Sequence, residues 1–251
     1  MNVALAATLV AAVLIGLALG ALGGGGSILT VPVLVYLAGF TPSAAIAGSL
    51  VVVGVTALSA MAAHSRQGRV DWRSGSLFAA VGVLGAYGGA RLSAYLPPAL
   101  LLGAFALLMV VVAALMLRPR RPSAAGHPAG RAGMLRVGLI GTAVGVTTGL
   151  LGAGGGFLIV PALLLVGLDM SVAVGTSLLV IAANCAAGLA GHLGHVDIDW
   201  ALTLGVTALA VAGSVAGARL VRHLDPDRLR RAFGAVVAVI GTAVLTAQFI
   251  H

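Results

Sequence analysis

Charge is scarce in this chain of 251 residues: charged side chains make up 8% of it, and neither lysine nor glutamate occurs. An average soluble domain carries about a quarter charged residues. Aromatic residues account for only 4%, while hydrophobic residues reach 60% and glycine occurs 37 times. These proportions exclude soluble enzymes and soluble binding modules, and they predict a polytopic membrane protein with closely packed helices.

Cysteine is nearly absent as well, because Cys185 is the single one. No intrachain disulfide and no cysteine-based metal site can form, and we expect neither a metal nor a cofactor. The net charge of +8 comes from 14 arginines that lie between long apolar runs. Such placement is typical of cytoplasmic loops, so we expect the bilayer as a partner and no nucleic acid.

The chain contains one motif twice. The segment GLALGALGGGGSILTVP at 16–32 aligns with GVTTGLLGAGGGFLIVP at 145–161, at a constant offset of 129. Further along, an offset of 128 continues the match. Self-similarity of this extent predicts two similar halves. We therefore expect a first transmembrane repeat at 1–117, a linker at 118–133 and a second transmembrane repeat at 134–251.

The arginines separate two possible topologies. If the copies are parallel, the arginines divide 8 to 6 between the two sides of the membrane, whereas inverted copies place 13 on one side and Arg91 alone opposite. The positive-inside rule favours the inverted arrangement. The predicted fold is an all-α polytopic membrane protein of two inverted repeats, each with about five helical segments including a glycine-broken short helix. The expected location is the cell inner (plasma) membrane, with the central linker cytoplasmic.

The two glycine runs are the first candidate binding elements. Four or five small residues in succession make a poor helix interior, and a break would expose backbone N–H groups beside the N-terminus of a short helix, which favours anions. The alternative interpretation is that these glycines only permit close contact between helices. The residues assigned to the substrate site on this ground are Gly23, Gly25, Gly26, Ser27, Gly152, Gly154, Gly155 and Gly156.

Hydroxyl and amide side chains form a second candidate group. Ser49 and Ser177 are equivalent in the two copies, and Thr176 and Asn184 lie within two turns of Ser177. These groups could donate hydrogen bonds to an oxyanion or line a polar path, or they could bond back to their own helices. Ser49, Thr176 and Ser177 are assigned to the substrate site.

Ionisable side chains at the ends of the predicted helices form a third group. Arg91 and Arg219 both follow Gly-Ala and precede Leu, and each could clamp an anion or anchor a helix end at the interface. His64 and His192 could relay protons, or they could complement the helix dipole. Asp71 and Asp199 each precede a tryptophan and are predicted to cap helices.

Pairs of glycines four residues apart are predicted to pack helices closely. They are Gly16 and Gly20, Gly85 and Gly89, Gly145 and Gly149, and Gly213 and Gly217.

Together, the twin glycine-rich segments ending in proline, the Ser-Leu helices that end in histidine and the Gly-Ala-Arg-Leu segments resemble the sulfite exporter TauE/SafE family. The resemblance covers about 16–245. It implies a secondary transporter for small anions, most readily sulfite or organosulfonates. The inverted repeats predict that its site lies at the repeat interface near the bilayer midplane. An anion channel or a membrane assembly subunit is the alternative, and an intramembrane hydrolase is a weaker one.

Overall fold

A computed structural model of the protein describes residues 3–22, 24–117, 131–151, 170–193 and 195–220, with single positions at 159, 160, 163 and 168 and between 231 and 246. Regular structure in these residues is helical, without strands. A 3-10 helix spans Gly25–Leu29. The α-helices are α1 (Val3–Leu22), α2 (Thr30–Tyr36), α3 (Pro42–Ser65), α4 (Trp72–Ser93), α5 (Pro98–Leu117), α6 (Arg131–Leu151), α7 (Met170–His192) and α8 (Trp200–Leu220).

The helix starts follow from short-range chemistry. Thr41 precedes a proline at the first position of α3, and its side chain accepts a hydrogen bond from the Ala44 amide. Asp71 caps α4 by accepting from the amides of Arg73 and Ser74. Asp199 caps α8 by accepting from the Leu202 amide at 3.0 Å. The two aspartate caps predicted from the sequence are therefore confirmed.

Three of the described helices are long and apolar enough to cross a membrane: α3, α7 from Ser171 onward, and α8. About 20 helical residues are needed to span the hydrocarbon. The interruption predicted at the first glycine run is present, because α1 ends at Leu22 and Gly24 takes a φ of 143°. A 3-10 helix and the short α2 follow. The second glycine run, 152–156, lies outside the described residues, as do Gly23 and the linker positions 118–130.

Each half of the sequence packs one of its helices against a helix of the other half. Helix α1 of the first half packs along α8 of the second, and α6 of the second half packs along α4 of the first. Glycines make both contacts possible: a Cβ on Gly16 would collide with the Ala210 carbonyl, and one on Gly149 would collide with the Ala86 carbonyl. The predicted packing role of the glycine pairs is confirmed, and it operates between halves.

Helices α3 and α7 form the centre of the bundle and run antiparallel. Gly54 lies against Cys185, Gly188 lies 3.2 Å from the Leu50 side chain, and Gly175 lies 3.3 Å from the His64 Cβ, each measured from an ideal Cβ position on the glycine. Residue numbers on α3 rise as those on α7 fall. Helix α4 runs parallel to α7.

Candidate polar site on the two central helices

A line of buried polar side chains follows each central helix. Helix α3 carries Ser49, Thr56 and His64, and α7 carries their equivalents at an offset of 128, Ser177, Asn184 and His192. Within each helix the spacings are seven and eight residues, which keeps all three side chains near one side of the helix. The serines, Thr56 and Asn184 are 0% exposed, and the histidines are 3% and 4% exposed.

Because α3 and α7 are antiparallel, the two lines run in opposite directions. The Gly188–Leu50 contact brings Ser49 to the level of the C-terminal end of α7, and the Gly175–His64 contact brings Ser177 to the level of the C-terminal end of α3. Thr56 and Asn184 lie within one turn of the Gly54–Cys185 contact, where the helices cross. Polar groups therefore occur at both ends and at the middle of the central pair.

The histidines join helix ends. His64 Nε2 lies 3.3 Å from the Gly20 carbonyl oxygen, and His192 Nε2 lies 2.9 Å from the Gly149 carbonyl oxygen. A carbonyl oxygen only accepts, so Nε2 carries the hydrogen in both pairs. Each histidine thus connects a central helix to the glycine-rich helix that precedes the glycine run of the same half.

The candidate serines bond to nearby backbone. Ser49 Oγ donates to the Ile46 carbonyl at 2.7 Å, and Ser177 Oγ donates to the Val174 carbonyl at 2.8 Å. Ser27, buried in the 3-10 helix, donates to the Gly24 carbonyl at 2.7 Å. A hydroxyl oxygen that donates in this way keeps acceptor capacity, and its hydrogen can rotate toward a ligand.

Thr176 connects the two halves. Its Oγ1 accepts a hydrogen bond from the Asp71 amide at 2.9 Å. Beside it, a Cβ on Gly175 would collide with the Arg69 carbonyl oxygen. The loop between α3 and α4 is therefore packed directly on the first turns of α7.

The first glycine run packs against α1. A Cβ on Gly26 would meet the Ile15 carbonyl oxygen and lie 2.7 Å from the Leu19 amide. Gly25 begins the 3-10 helix. This segment depends on glycine for close backbone approach, and its helix N-terminus lies inside the bundle.

The two matched arginines occupy the exposed C-terminal ends of α4 and α8. Arg91 donates to the Tyr87 hydroxyl at 3.1 Å through Nη2, and its guanidinium lies 5.5 Å from the centre of that ring. Arg219 is also exposed. Neither position belongs to the buried polar lines of α3 and α7.

Several buried polar side chains have unmet hydrogen bonds, and two of them, Asn184 and Thr56, lie at equivalent positions of the central helices. Oδ1 and Nδ2 of Asn184 and Oγ1 of Thr56 are buried without a hydrogen-bond partner among the described residues, as are Oγ1 of Thr30, Oγ1 of Thr203 and Nδ1 of His64. Asn184 was a candidate donor from the sequence, although it was not assigned to the site, whereas Thr56 was not considered. The offset of 128, which aligns Asn184 with Thr56 inside two apolar runs, is the signal that could have found Thr56.

A cavity of about 310 Å³ reaches His192 and is also lined by Ser43, Ser93 and His195. It adjoins a second cavity of about 530 Å³, which shares Ser43 and His195 and extends to Asp197 and Asp199. The C-terminal end of α7 thus lies at a vestibule formed by these two cavities, whose lining contains both polar and apolar side chains. No group of three or more metal-ligating side chains occurs among the described residues.

Apolar membrane-length helices with a buried polar interior define a multi-pass helical membrane protein. The family model for the sulfite exporter TauE/SafE matches residues 8–244, and the chain belongs to that family. A "probable membrane transporter protein" of Xylella fastidiosa (strain Temecula1) is 36% identical over 238 residues, 92% of this chain and 91% of that relative.

The "probable membrane transporter protein YunE" of Bacillus subtilis is 29% identical over 265 residues, covering 93% of this chain and 96% of that relative. No solved structure matches the chain. The family is one of membrane transporters and these relatives carry transporter names, so the chain is a membrane transport protein and not an enzyme.

Proposed function

We propose that the protein is a secondary transporter for small anions, with sulfite or an organosulfonate as the substrate, and that the substrate crosses along the polar lines of α3 and α7. The observation that carries the proposal is the pair of antiparallel central helices with buried hydroxyl, amide and imidazole groups at both ends and in the middle. Neutral donors of this kind bind oxyanion oxygens. The family name directs the choice of anion toward sulfur compounds.

The inverted-repeat topology belongs to the same proposal. Contacts between the C-terminal ends of α1 and α3, through Gly20 and His64, and of α6 and α7, through Gly149 and His192, support a common direction within each pair. The antiparallel crossing of α3 and α7 then supports opposite directions for the two halves. Inverted halves that meet at a central site are an architecture of secondary transporters.

In the proposed orientation the protein lies in a bacterial inner membrane, with the central linker on the cytoplasmic side. Arg66, Arg69 and Arg73 lie on or beside the loop between α3 and α4, whereas the equivalent loop before α8 carries Asp197 and Asp199. Positive charge marks cytoplasmic loops. Export of a monoanion from a negative-inside cell is favoured by about 2.3 kcal/mol per 100 mV, so the membrane potential alone could drive it.

The substrate site is proposed to include Ser49 and Ser177 and the first glycine run with Ser27, with the second glycine run as its counterpart. The exposed positions of Arg91 and Arg219 favour helix-end anchoring over substrate contact. Arg91→Gln should therefore leave the KM for the substrate unchanged, whereas Ser49→Ala combined with Ser177→Ala should raise it.

Flux into proteoliposomes tests the function. Vesicles that hold the purified protein should take up radiolabelled sulfite or methanesulfonate with saturation, and unlabelled substrate on the opposite side should accelerate exchange. Protein-free vesicles are the control. Linear, non-saturable flux without exchange would identify a channel, and no flux of either anion would reject the proposal.

Labelling tests the orientation. In a Cys185→Ser background, Gln67→Cys and Val196→Cys place single thiols in the two equivalent loops. In intact cells, a membrane-impermeant maleimide should label position 196 and reach position 67 only after permeabilisation. Labelling of both positions in intact cells would contradict the inverted arrangement.

A further inference from the structure

Asn184 has unmet hydrogen-bonding capacity near the midpoint of the central helix pair. Its side chain is 0% exposed, and both the carbonyl oxygen and the amide nitrogen lack a partner among the described residues. Asn184 is the fifteenth of 23 residues in α7. Leaving a buried amide unpaired is costly, more so in a bilayer, where water is scarce. A bound ligand that pairs with the amide would offset this cost.

The neighbouring helix makes room for this amide. An ideal Cβ on Gly82 of α4 would lie 2.5 Å from Asn184 Oδ1 and 2.9 Å from Nδ2. The position facing the amide is therefore one that no larger residue could fill without moving it. The small residue leaves the amide held against backbone and free of side-chain partners.

The equivalent position in the other half behaves in the same way. Thr56 is 0% exposed, and its hydroxyl oxygen also lacks a partner among the described residues. Some buried hydroxyls on the same bundle are satisfied within their own helices, as for Thr148, which donates to the Val144 carbonyl at 2.9 Å, and Thr207, which donates to the Thr203 carbonyl at 2.7 Å. The hydroxyls of Thr30 and Thr203, like that of Thr56, have no partner among the described residues. Unmet hydrogen bonding at this repeat position thus recurs in two different residue types.

The chemistry around Asn184 favours an anion over a cation. No acidic residue lies within any described helix, and Asp71, Asp197 and Asp199 lie in loops. A dehydrated cation in a low-dielectric interior needs carboxylates or several carbonyl oxygens. The Asn184 amide offers two N–H donors, which suit the oxygens of a small oxyanion.

We infer that Asn184 is a substrate-binding residue of the transporter, whose carboxamide donates hydrogen bonds to the oxygens of a sulfite- or sulfonate-type anion at the middle of its path. This inference rests on the proposed function and deepens it. A purely structural role would differ from this one, because a structural amide would already have its hydrogen-bond partners within the protein.

Transport kinetics and thermal shift together test the assignment. Wild type and Asn184→Ala are compared for uptake of sulfite and of methanesulfonate into proteoliposomes, and for the rise in Tm that each anion causes in detergent. Loss of a hydrogen bond to a charged ligand should raise KM about 10- to 100-fold and abolish the anion-induced rise in Tm. Without anion, the Tm of Asn184→Ala should equal or exceed that of wild type, since an unpaired buried amide has been removed.

Controls keep the outcomes distinct. Thr148→Val removes a buried hydroxyl whose hydrogen bond stays within its helix, and it should leave KM unchanged. Gly82→Ala displaces the Asn184 amide and should raise KM in the same direction as Asn184→Ala. If wild type transports these anions and Asn184→Ala has the same KM, or if Asn184→Ala only lowers the Tm without anion, the inference is overturned and the proposed function stands.

A dependence on Na⁺ that is lost in Asn184→Ala, with anion affinity unchanged, would assign the amide to a cation and overturn the inference. Absence of transport by wild type would instead reject the proposed function.

Discussion

His192 and Gly149 are joined by a 2.9 Å contact from Nε2 to the carbonyl oxygen, which holds the C-terminal ends of α7 and α6 together. His64 and Gly20 repeat the relationship at 3.3 Å in the first half. Both glycines close a small-xxx-small pair, and both lie three residues before the glycine run of their half. The helix that precedes each glycine run is therefore attached to a central helix through one imidazole.

Two substitutions of His192 should separate the contribution of its hydrogen bond to stability from that of its side-chain volume. His192→Phe removes the donor and leaves the Gly149 carbonyl buried without this partner, and we expect a loss of about 1–3 kcal/mol in stability. His192→Gln keeps an N–H donor and should therefore lose less stability than His192→Phe. Thermal unfolding in detergent measures both variants. Equal Tm values for the two would show that the hydrogen bond contributes nothing.

Adjacent glycines on α4 should respond oppositely to alanine. A Cβ on Gly89 would collide with the Val146 carbonyl oxygen of α6, whereas one on Gly88 meets nothing within 4 Å. Gly89→Ala should lower the Tm sharply by separating α4 from α6. Gly88→Ala should be neutral or stabilising by up to about 1 kcal/mol, because alanine is the better helix former. A milder effect at position 89 than at 88 would contradict the packing.

Asp71 should make stability depend on pH at the start of α4. The hydrogen bond from the Ser74 hydroxyl, helped by the Ser74 and Arg73 amides, lowers the pKa of the Asp71 carboxyl. A lowered folded-state pKa gives stability that is present above the unfolded value of about 3.9 and is lost as pH falls through the folded value.

Asp71→Ala should therefore cost about 0.5–2 kcal/mol near neutral pH, and the difference from wild type should shrink in acid. Asp71→Asn keeps a capping oxygen without the titration. Tm values measured between neutral and acidic pH check the trend, and a deficit for Asp71→Ala that stays constant down to low pH would rule out the ionic cap.

Asp197 lines the larger of the two cavities that form the vestibule, and it should slow the entry of anions from that side. Asp197→Asn removes one negative charge and should raise the initial rate of anion uptake through this end several-fold at low ionic strength, with the gain fading at high salt. Uptake into vesicles of defined orientation measures it. Asp199→Asn keeps a helix-capping oxygen and removes the other negative charge that lines this cavity. A similar gain in uptake rate would show that the effect comes from negative charge in general and not from Asp197 alone. A gain that persists at 1 M salt would not be electrostatic.

The helix limits were largely predictable because hydrophobic runs and aspartate caps are local. The sequence is predominantly apolar over 3–22, which coincides with α1, and over 74–93, which begins two residues after the start of α4. The glycine pairs were correctly predicted to pack, but their partners were not, since the exchange of α1 and α6 between halves depends on contacts far apart in sequence.

The site was predictable only in part. The repeat offset identified Ser49, Ser177 and both histidines as equivalents, and the structure puts all four on the central helices. Thr176 turned out to accept a backbone hydrogen bond from Asp71, which no local pattern indicates. The unmet amide of Asn184 depends on Gly82 in a neighbouring helix, and only three-dimensional packing reveals it.

The packing of α1 against α8 sets the order in which the protein can complete its fold during synthesis. Gly16 and Gly20 of α1 fit the backbone at Ala210 and Ser214, which the ribosome makes nearly two hundred residues later. At synthesis rates of about 5–20 residues per second, α1 stays in the bilayer on the order of ten seconds or more before its partner exists. During that interval its glycine surface lacks the α8 backbone that it fits, so the first half of the protein cannot complete its packing until the second half has been inserted.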